Sequence, residues 1–250
     1  MIKNAVLIFA GFLLLGLNLA STSSSVVNRG SLSITLDGNS VSGNVTLPSS
    51  VIAQRSFRGR AYRNRGNTTS DNQKTESSNN NPLIDTIISL HPMNYKMDVE
   101  PLAKPSIIQQ KNAEFIPNVT PVTVGSIVQF LNDDPFYHNV FSLTPGARFN
   151  IGRRPTGDIY EKKIPATSWK VEGLGEIQLF CDIHSQMNAV ILSLDTPYYT
   201  RVNESGDFNL ENIPDGEYEL RAYHPRHELD SQVIFVKNDQ KLSLDIDFSN

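Results

Sequence analysis

The sequence predicts an all-β protein built from β-sandwiches, and three observations carry that prediction. Apolar residues recur at period two in short runs, as in Val128/Phe130 and Tyr218/Leu220/Ala222. Turn clusters punctuate those runs, among them Asn132-Asp133-Asp134-Pro135, Glu204-Ser205-Gly206-Asp207 and Ile213-Pro214-Asp215-Gly216. No segment sustains a helical repeat, and closely spaced short strands read as a sandwich or barrel. At 250 residues the chain has length for one or two domains with a real core.

Residues 1–20 read as a cleaved signal peptide. Lys3 is the charged start, Ala5 to Leu17 the apolar run, and Asn18-Leu19-Ala20-Ser21 a small-residue cleavage region. The run is short against the ~20 residues of a spanning helix. The mature chain is therefore expected in the periplasm or outside the cell, with membrane association only if the segment stays uncleaved. Residues 21–30 are Ser-rich and expected to be flexible.

Within 31–104, Leu32, Ile34 and Leu36 alternate, Asp37-Gly38-Asn39 turns the chain, and Val41, Val45 and Leu47 resume. Arg55, Arg58, Arg60, Arg63 and Arg65 read as the solvated flank of a disordered loop at 62–82, because Asn67 to Asn81 holds no apolar residue. Ile84 to Leu90 returns to strand character before His91-Pro92. From 105 to 195 the strands come densely: Ile107 to Gln110, Phe115 to Pro117, Val122 and Val124, then Val128 and Phe130. His138 and Val140 share parity, so both are expected on one side of a strand. Leu143 to Ala166 is turn-rich; Ile177, Leu179 and Cys181 share a face; Ala189 to Leu194 is a short apolar strand. Residues 196–250 are again all β, with Phe208/Leu210, Tyr218 to Ala222, Val233 to Val236 and Leu242 to Phe248.

The formal net charge of -4 argues against a nucleic-acid partner. No phosphate-cradling glycine loop, internal repeat or Ser-His-Asp arrangement is recognisable. His224 and His227 in His-Pro-Arg-His are a candidate second metal site, but no acidic or cysteine companion has metal-site spacing, so they and His91 are read as structural.

Cys181 is the only cysteine. In an exported chain a lone cysteine means an intermolecular bridge, a reactive thiol or another use such as metal ligation. Its neighbours favour the last. Phe180-Cys181-Asp182-Ile183-His184-Ser185-Gln186-Met187 offers thiolate, imidazole and thioether at spacings of three. His138, in phase with Val140, would bring a second imidazole from a neighbouring strand. Alone, His138 would be a structural histidine, Met187 core filler and Cys181 with His184 an incomplete zinc half-site. Together they match the trigonal His2Cys set with a long axial Met that suits copper in both oxidation states.

The same residues carry a family resemblance. Asn112 to Pro117, Val122-Thr123-Val124-Gly125, Val128 to Asp134, His138 to Ser142 and Cys181 to Met187 resemble a cupredoxin of the plastocyanin-like exported kind. The resemblance implies a Greek-key sandwich over 105–195 holding one type 1 copper ion. It implies His138 and His184 as imidazole ligands, Cys181 as thiolate and Met187 as axial thioether. Asn139 would tether the ligand loops, and His184 would be the exposed electron exit. The chain between Phe149 and Leu179 is longer than the family's usual approach to the cysteine. In the flanks, Val41 to Leu47, Ile87 to Leu90, Gly206 to Leu210, Ile213 to Gly216 and Tyr218 to Leu220 resemble a carboxypeptidase regulatory-like (transthyretin-like) sandwich. One accessory sandwich split between 31–104 and 196–250 is therefore expected, with the cupredoxin inserted. The combination resembles exported chains named methylamine utilisation proteins.

The function expected is single-electron carriage by a copper protein that is not an enzyme, with a redox protein as partner. A copper storage or delivery module is an alternative, as is a cell-surface binding sandwich, which the single tryptophan, Trp169, weakens. A copper enzyme would need further histidine pairs, and the chain has five histidines in all.

Overall fold

The computed structural model describes residues 38–48, 81–167, 170–227, 229–237 and 241–248. Among these residues there is no α-helix, only one 3-10 turn, Pro82–Asp85. In chain order the strands are β1 (Asn39–Thr46), β2 (Ile87–Pro92), β3 (Ser106–Lys111), β4 (Glu114–Ile116), β5 (Val119–Thr123) and β6 (Ile127–Asn132). There follow β7 (Phe141–Ser142), β8 (Phe149–Asn150), β9 (Ile159–Lys163), β10 (Lys170–Val171), β11 (Leu174–Phe180) and β12 (Asn188–Leu194). The last are β13 (Tyr199–Arg201), β14 (Asp207–Ile213), β15 (Gly216–Tyr223), β16 (Asp230–Val236) and β17 (Lys241–Asp247). Among the described residues no helix is long and apolar enough to cross a membrane.

These strands form four sheets. Sheet I has the order β14-β1-β17 and sheet II β13-β2-β15-β16. Sheet III runs β5-β12-β11-β7-β8 with β10 on β11, and sheet IV runs β4-β3-β6-β9. The alternation of side chains across each strand decides how they stack. Val41, Ile88, Leu90, Phe208, Tyr218, Leu220 and Ile246 close one core between sheets I and II. Ile108, Val128, Phe130, Ile177, Leu179 and Ile191 close a second between sheets III and IV. The opposite faces of sheets II and III also meet, through Ile87 and Tyr223 on one side and Val119, Leu174, Leu192 and Leu194 on the other. Every residue of β12 after Asn188 is consequently buried, which explains its continuous apolar sequence.

Parallel pairs β3–β6 and β12–β5 sit beside antiparallel ones in sheets III and IV. Sheet I takes β1 from the start of the chain and β14 and β17 from its end. Sheet II likewise pairs β2 with β13 and β15.

Several sequence readings need correction. His138 is not on a strand: it makes an isolated bridge with Arg154, its N–H donating to the Arg154 carbonyl at 3.1 Å and its carbonyl accepting at 2.6 Å. Strand pairing resumes only at Phe141 because Pro135 and the turn before it interrupt the ladder. Within the turn-rich stretch the structure finds the edge strand β9. Ile84 lies in the 3-10 turn: the Asn81 side chain accepts the Leu83 N–H and Pro82 opens the turn. Asn81 and Pro82, placed at the end of the expected disordered loop, are thus part of that turn. The readings for 1–20, 21–30, the Leu32 to Leu36 strand, the arginine run, the loop through residue 80 and Trp169 lie outside the described residues.

Candidate metal centre

The centre forms where the β11–β12 connection meets the segment after β6. Cys181 follows β11 on the inward face shared by Ile177 and Leu179, and it is 4% exposed. His184 lies in the following loop, and its carbonyl accepts the Met187 N–H at 2.9 Å, closing a tight turn over the site. His138 is 0% exposed. The Cys181 Sγ lies 3.9 Å from His138 Nδ1 and 3.8 Å from His184 Nδ1, and the two Nδ1 atoms are 3.1 Å apart. Met187 is buried in the same apolar cluster as Cys181. The Oδ1 of Asn139 accepts the Asp182 N–H at 2.8 Å, tying the two ligand-bearing segments together.

The donor set fits a metal ion. His138 Nε2 lies 2.7 Å from the buried Asp134 carboxylate, which can only accept, so that nitrogen carries the ring proton. Nδ1 of the neutral ring is then a bare lone pair aimed at a thiol and at the second imidazole. Lone pairs at 3.1 Å require a proton or a cation between them. An ion equidistant from the three donors would lie about 2.1 Å from each, within reach of ordinary metal–nitrogen (~2.0–2.1 Å) and metal–sulfur (~2.3 Å) bonds. Among the described residues this is the one group of His, Cys or acidic side chains with metal-binding convergence.

Burial pushes the Cys181 thiol up, but hydrogen bonds from His138 (whose Nδ1 donates once the ring takes a second proton), from the Asn139 and His184 backbone and from the His184 ring outweigh it and hold the thiol at about 6. Burial pushes His138 down, and the neighbouring sulfur and Asp134 carboxylate more than reverse it. In the metal-free protein, thiolate absorbance is therefore expected to titrate with a midpoint at about 6 instead of 9.0. Cys181→Ala provides the blank, and a midpoint at 9.0 would refute the arrangement. The sign follows: the folded value lies below the unfolded one, so thiolate stabilisation is full above the unfolded value and is lost as pH falls through about 6.

His184 is half-buried, and its edge reaches the surface in an open depression lined by Phe136, Tyr137, Arg153 and Ile183. Phe136 packs against both imidazoles, with centroids 5.0 Å from His138 and 5.3 Å from His184.

The structure also contains an arrangement that the sequence hid. Ser89 Oγ lies 3.0 Å from His91 Nε2, and His91 Nδ1 lies 3.0 Å from Asp195 Oδ1. Ser89 is 0% exposed, so no substrate reaches it; the trio ties β2 to the end of β12. His224 is buried, its Nδ1 accepting the Arg226 N–H at 3.2 Å, and its ring lies 5.2 Å from that of His227.

No family model matches the chain, and no curated protein matches it. Among solved structures it is similar to a copper-containing nitrite reductase from Thermus scotoductus SA-01, at 23% identity and a TM-score of 0.32 over 41% of this chain and 25% of that one. It is similar to a purple cupredoxin from Nitrosopumilus maritimus, at 20% identity and a TM-score of 0.30 over 35% of this chain and 98% of that one. It is also similar to a reduced amicyanin variant, at 14% identity and a TM-score of 0.31 over 42% of this chain and 97% of that one. The chain thus spans a quarter of the nitrite reductase's length. The metal centre rests on its own geometry and not on these likenesses. The four sheets define an all-β protein in which two pairs of stacked sheets enclose separate cores, and the donor group lies at the edge of one of them. Its donors, two buried (His138, Cys181) and one half-buried (His184), are the soft nitrogen and sulfur ligands that a transition-metal ion takes.

Proposed function

We propose that this protein is an exported single-electron carrier holding one type 1 copper ion. His138, Cys181 and His184 are its trigonal donors and Met187 its weak axial thioether. The observation that carries the reading is the convergence of two imidazole Nδ1 atoms and one thiol within 3.9 Å of one another, with His138 and Cys181 buried. Bound copper would supply the one-electron couple. The chain's part is to hold the donors so that little moves between oxidation states. Cys181 is fixed by the end of β11 and by the Asn139 tether, and His138 by the Arg154 bridge. The core of sheets III and IV keeps water from the sulfur. His184, opening among Phe136, Tyr137 and Ile183, offers the short path to a redox protein partner.

Residues 105–195 form the copper-binding domain in this reading. It is inserted into an accessory sandwich made from 31–104 and 196–250, of the carboxypeptidase regulatory-like kind; strand exchange between β1, β14 and β17 supports that division. The carrier works in the periplasm or outside the cell and performs no substrate chemistry of its own.

Visible absorption and EPR of the mature protein with stoichiometric Cu(II), beside Cys181→Ala, test the reading. An intense thiolate-to-copper band with narrow copper hyperfine splitting is expected, both lost in the variant. An ordinary Cu(II) spectrum indifferent to the substitution would refute the carrier.

A further inference from the structure

Asp134 sits in what reads as a plain turn, yet its carboxylate is 3% exposed and fully engaged. Its Oδ2 accepts from His138 Nε2 at 2.7 Å and from the Ala113 N–H at 2.9 Å, and its Oδ1 accepts the Asn112 N–H at 2.6 Å. Asn112 and Ala113 are the two residues between β3 and β4, with φ of 55° and 57°. That left-handed pair, unusual for alanine, turns both N–H groups onto one carboxylate. The segment carrying Asp134 is itself pinned. Asn132 accepts the Asp134 N–H at 3.0 Å and donates to the Phe136 and Arg154 carbonyls at 2.8 and 2.9 Å. A buried negative charge is thus fixed on the nitrogen of His138 that points away from the sulfur.

We infer that Asp134 is a positioning residue for the metal centre. It holds His138 as the Nε2-protonated tautomer with Nδ1 facing Cys181 and His184, and makes that ring a stronger donor to the higher oxidation state of the metal. The inference rests on the copper reading. A carboxylate behind a ligating imidazole fixes its tautomer and orientation and raises its basicity. It does so here through a carboxylate whose other acceptor positions are taken up by the β3–β4 turn, so it cannot swing away.

The test has two arms. In metal-free wild-type protein, at a pH where the ring is neutral, long-range nitrogen–proton NMR should find His138 protonated at Nε2. In Asp134→Asn, copper affinity should fall ~10–100-fold. Cu(II) should lose about tenfold more than Cu(I), which for a one-electron couple is a potential ~59 mV higher. An Nδ1-protonated ring in the wild type would overturn the inference, and this arm needs no variant to fold. A normal copper–thiolate band with unchanged affinity and potential in Asp134→Asn would overturn it while leaving the copper reading intact. A wild type with no such band would overturn the copper reading, and with it the effect on the metal; the tautomer would then decide the hydrogen-bond role alone.

Discussion

Replacing Gly43 with alanine is expected to cost the protein about 3 kcal/mol or more, beyond the ~1–3 kcal/mol of ordinary overpacking. Gly43 lies mid-strand in β1, opposite Phe208 of β14 and Leu244 of β17. A Cβ there would stand 1.8 Å from the Leu244 carbonyl oxygen and 2.8 Å from the Phe208 ring. The obstacle is backbone, which no rotamer change can relieve. Either β17 gives up its parallel ladder with β1 or sheet I opens over the core that Phe208 and Ile246 complete. A denaturant melt measures the loss. If the protein carries copper as proposed, its copper–thiolate band under native conditions should survive, because sheet I packs on a different core from the donors. A variant as stable as the wild type would mean that β17 does not lie against β1 as described.

Much of this fold is legible in the sequence because burial on one face imposes period two. Tyr218, Leu220 and Ala222 all point into the core as their alternation requires, as do Ile177, Leu179 and Cys181. What alternation does not encode is partnership. Nothing near Val41 says that its neighbours are β14 and β17, since pairing over such distances is decided by the closure of a core, not by local pattern. The strand β9 escapes because Tyr160-Glu161-Lys162-Lys163 is an exposed edge with no buried apolar row to mark it. The metal donors divide the same way. Cys181, His184 and Met187 share one loop and announce themselves by spacing. His138 was reachable through its parity with Val140, although the ladder that parity implied is absent. Asp134 reads in sequence as a turn residue, and the Asn112 and Ala113 N–H groups that engage it have no sequence signature. Ser89, His91 and Asp195 meet only because sheets II and III pack, so residues 104 positions apart form one hydrogen-bonded chain.

Arg201→Met should lower stability by about 3 kcal/mol, the low end of the ~3–5 kcal/mol for breaking a buried charged interaction, while leaving unchanged the spectrum of the copper site, if copper binds as proposed. The Arg201 guanidinium donates to the Ile84 carbonyl before β2 and to the Val119 carbonyl of β5, with the Asp85 carboxylate beside it. Asp85 is itself 3% exposed and accepts from Asn118 Nδ2 at 2.9 Å. One side chain thus satisfies backbone acceptors on both sides of the layer where Ile87 and Tyr223 pack on Val119 and Leu192. Methionine keeps the stem's volume, so the loss isolates the charge and its hydrogen bonds from packing. The effect should not reach the metal centre. β12 faces that layer with Val190, Leu192 and Leu194, but faces the donors with Ala189 and Ile191, whose own core is untouched. Thermal or denaturant unfolding followed both by tryptophan-independent far-UV signal and by the copper band separates the two. A melt unchanged by the substitution would mean that water replaces the guanidinium at both carbonyls. A shifted copper band would mean that the packing of sheet II on sheet III sets the geometry of the Cys181 loop.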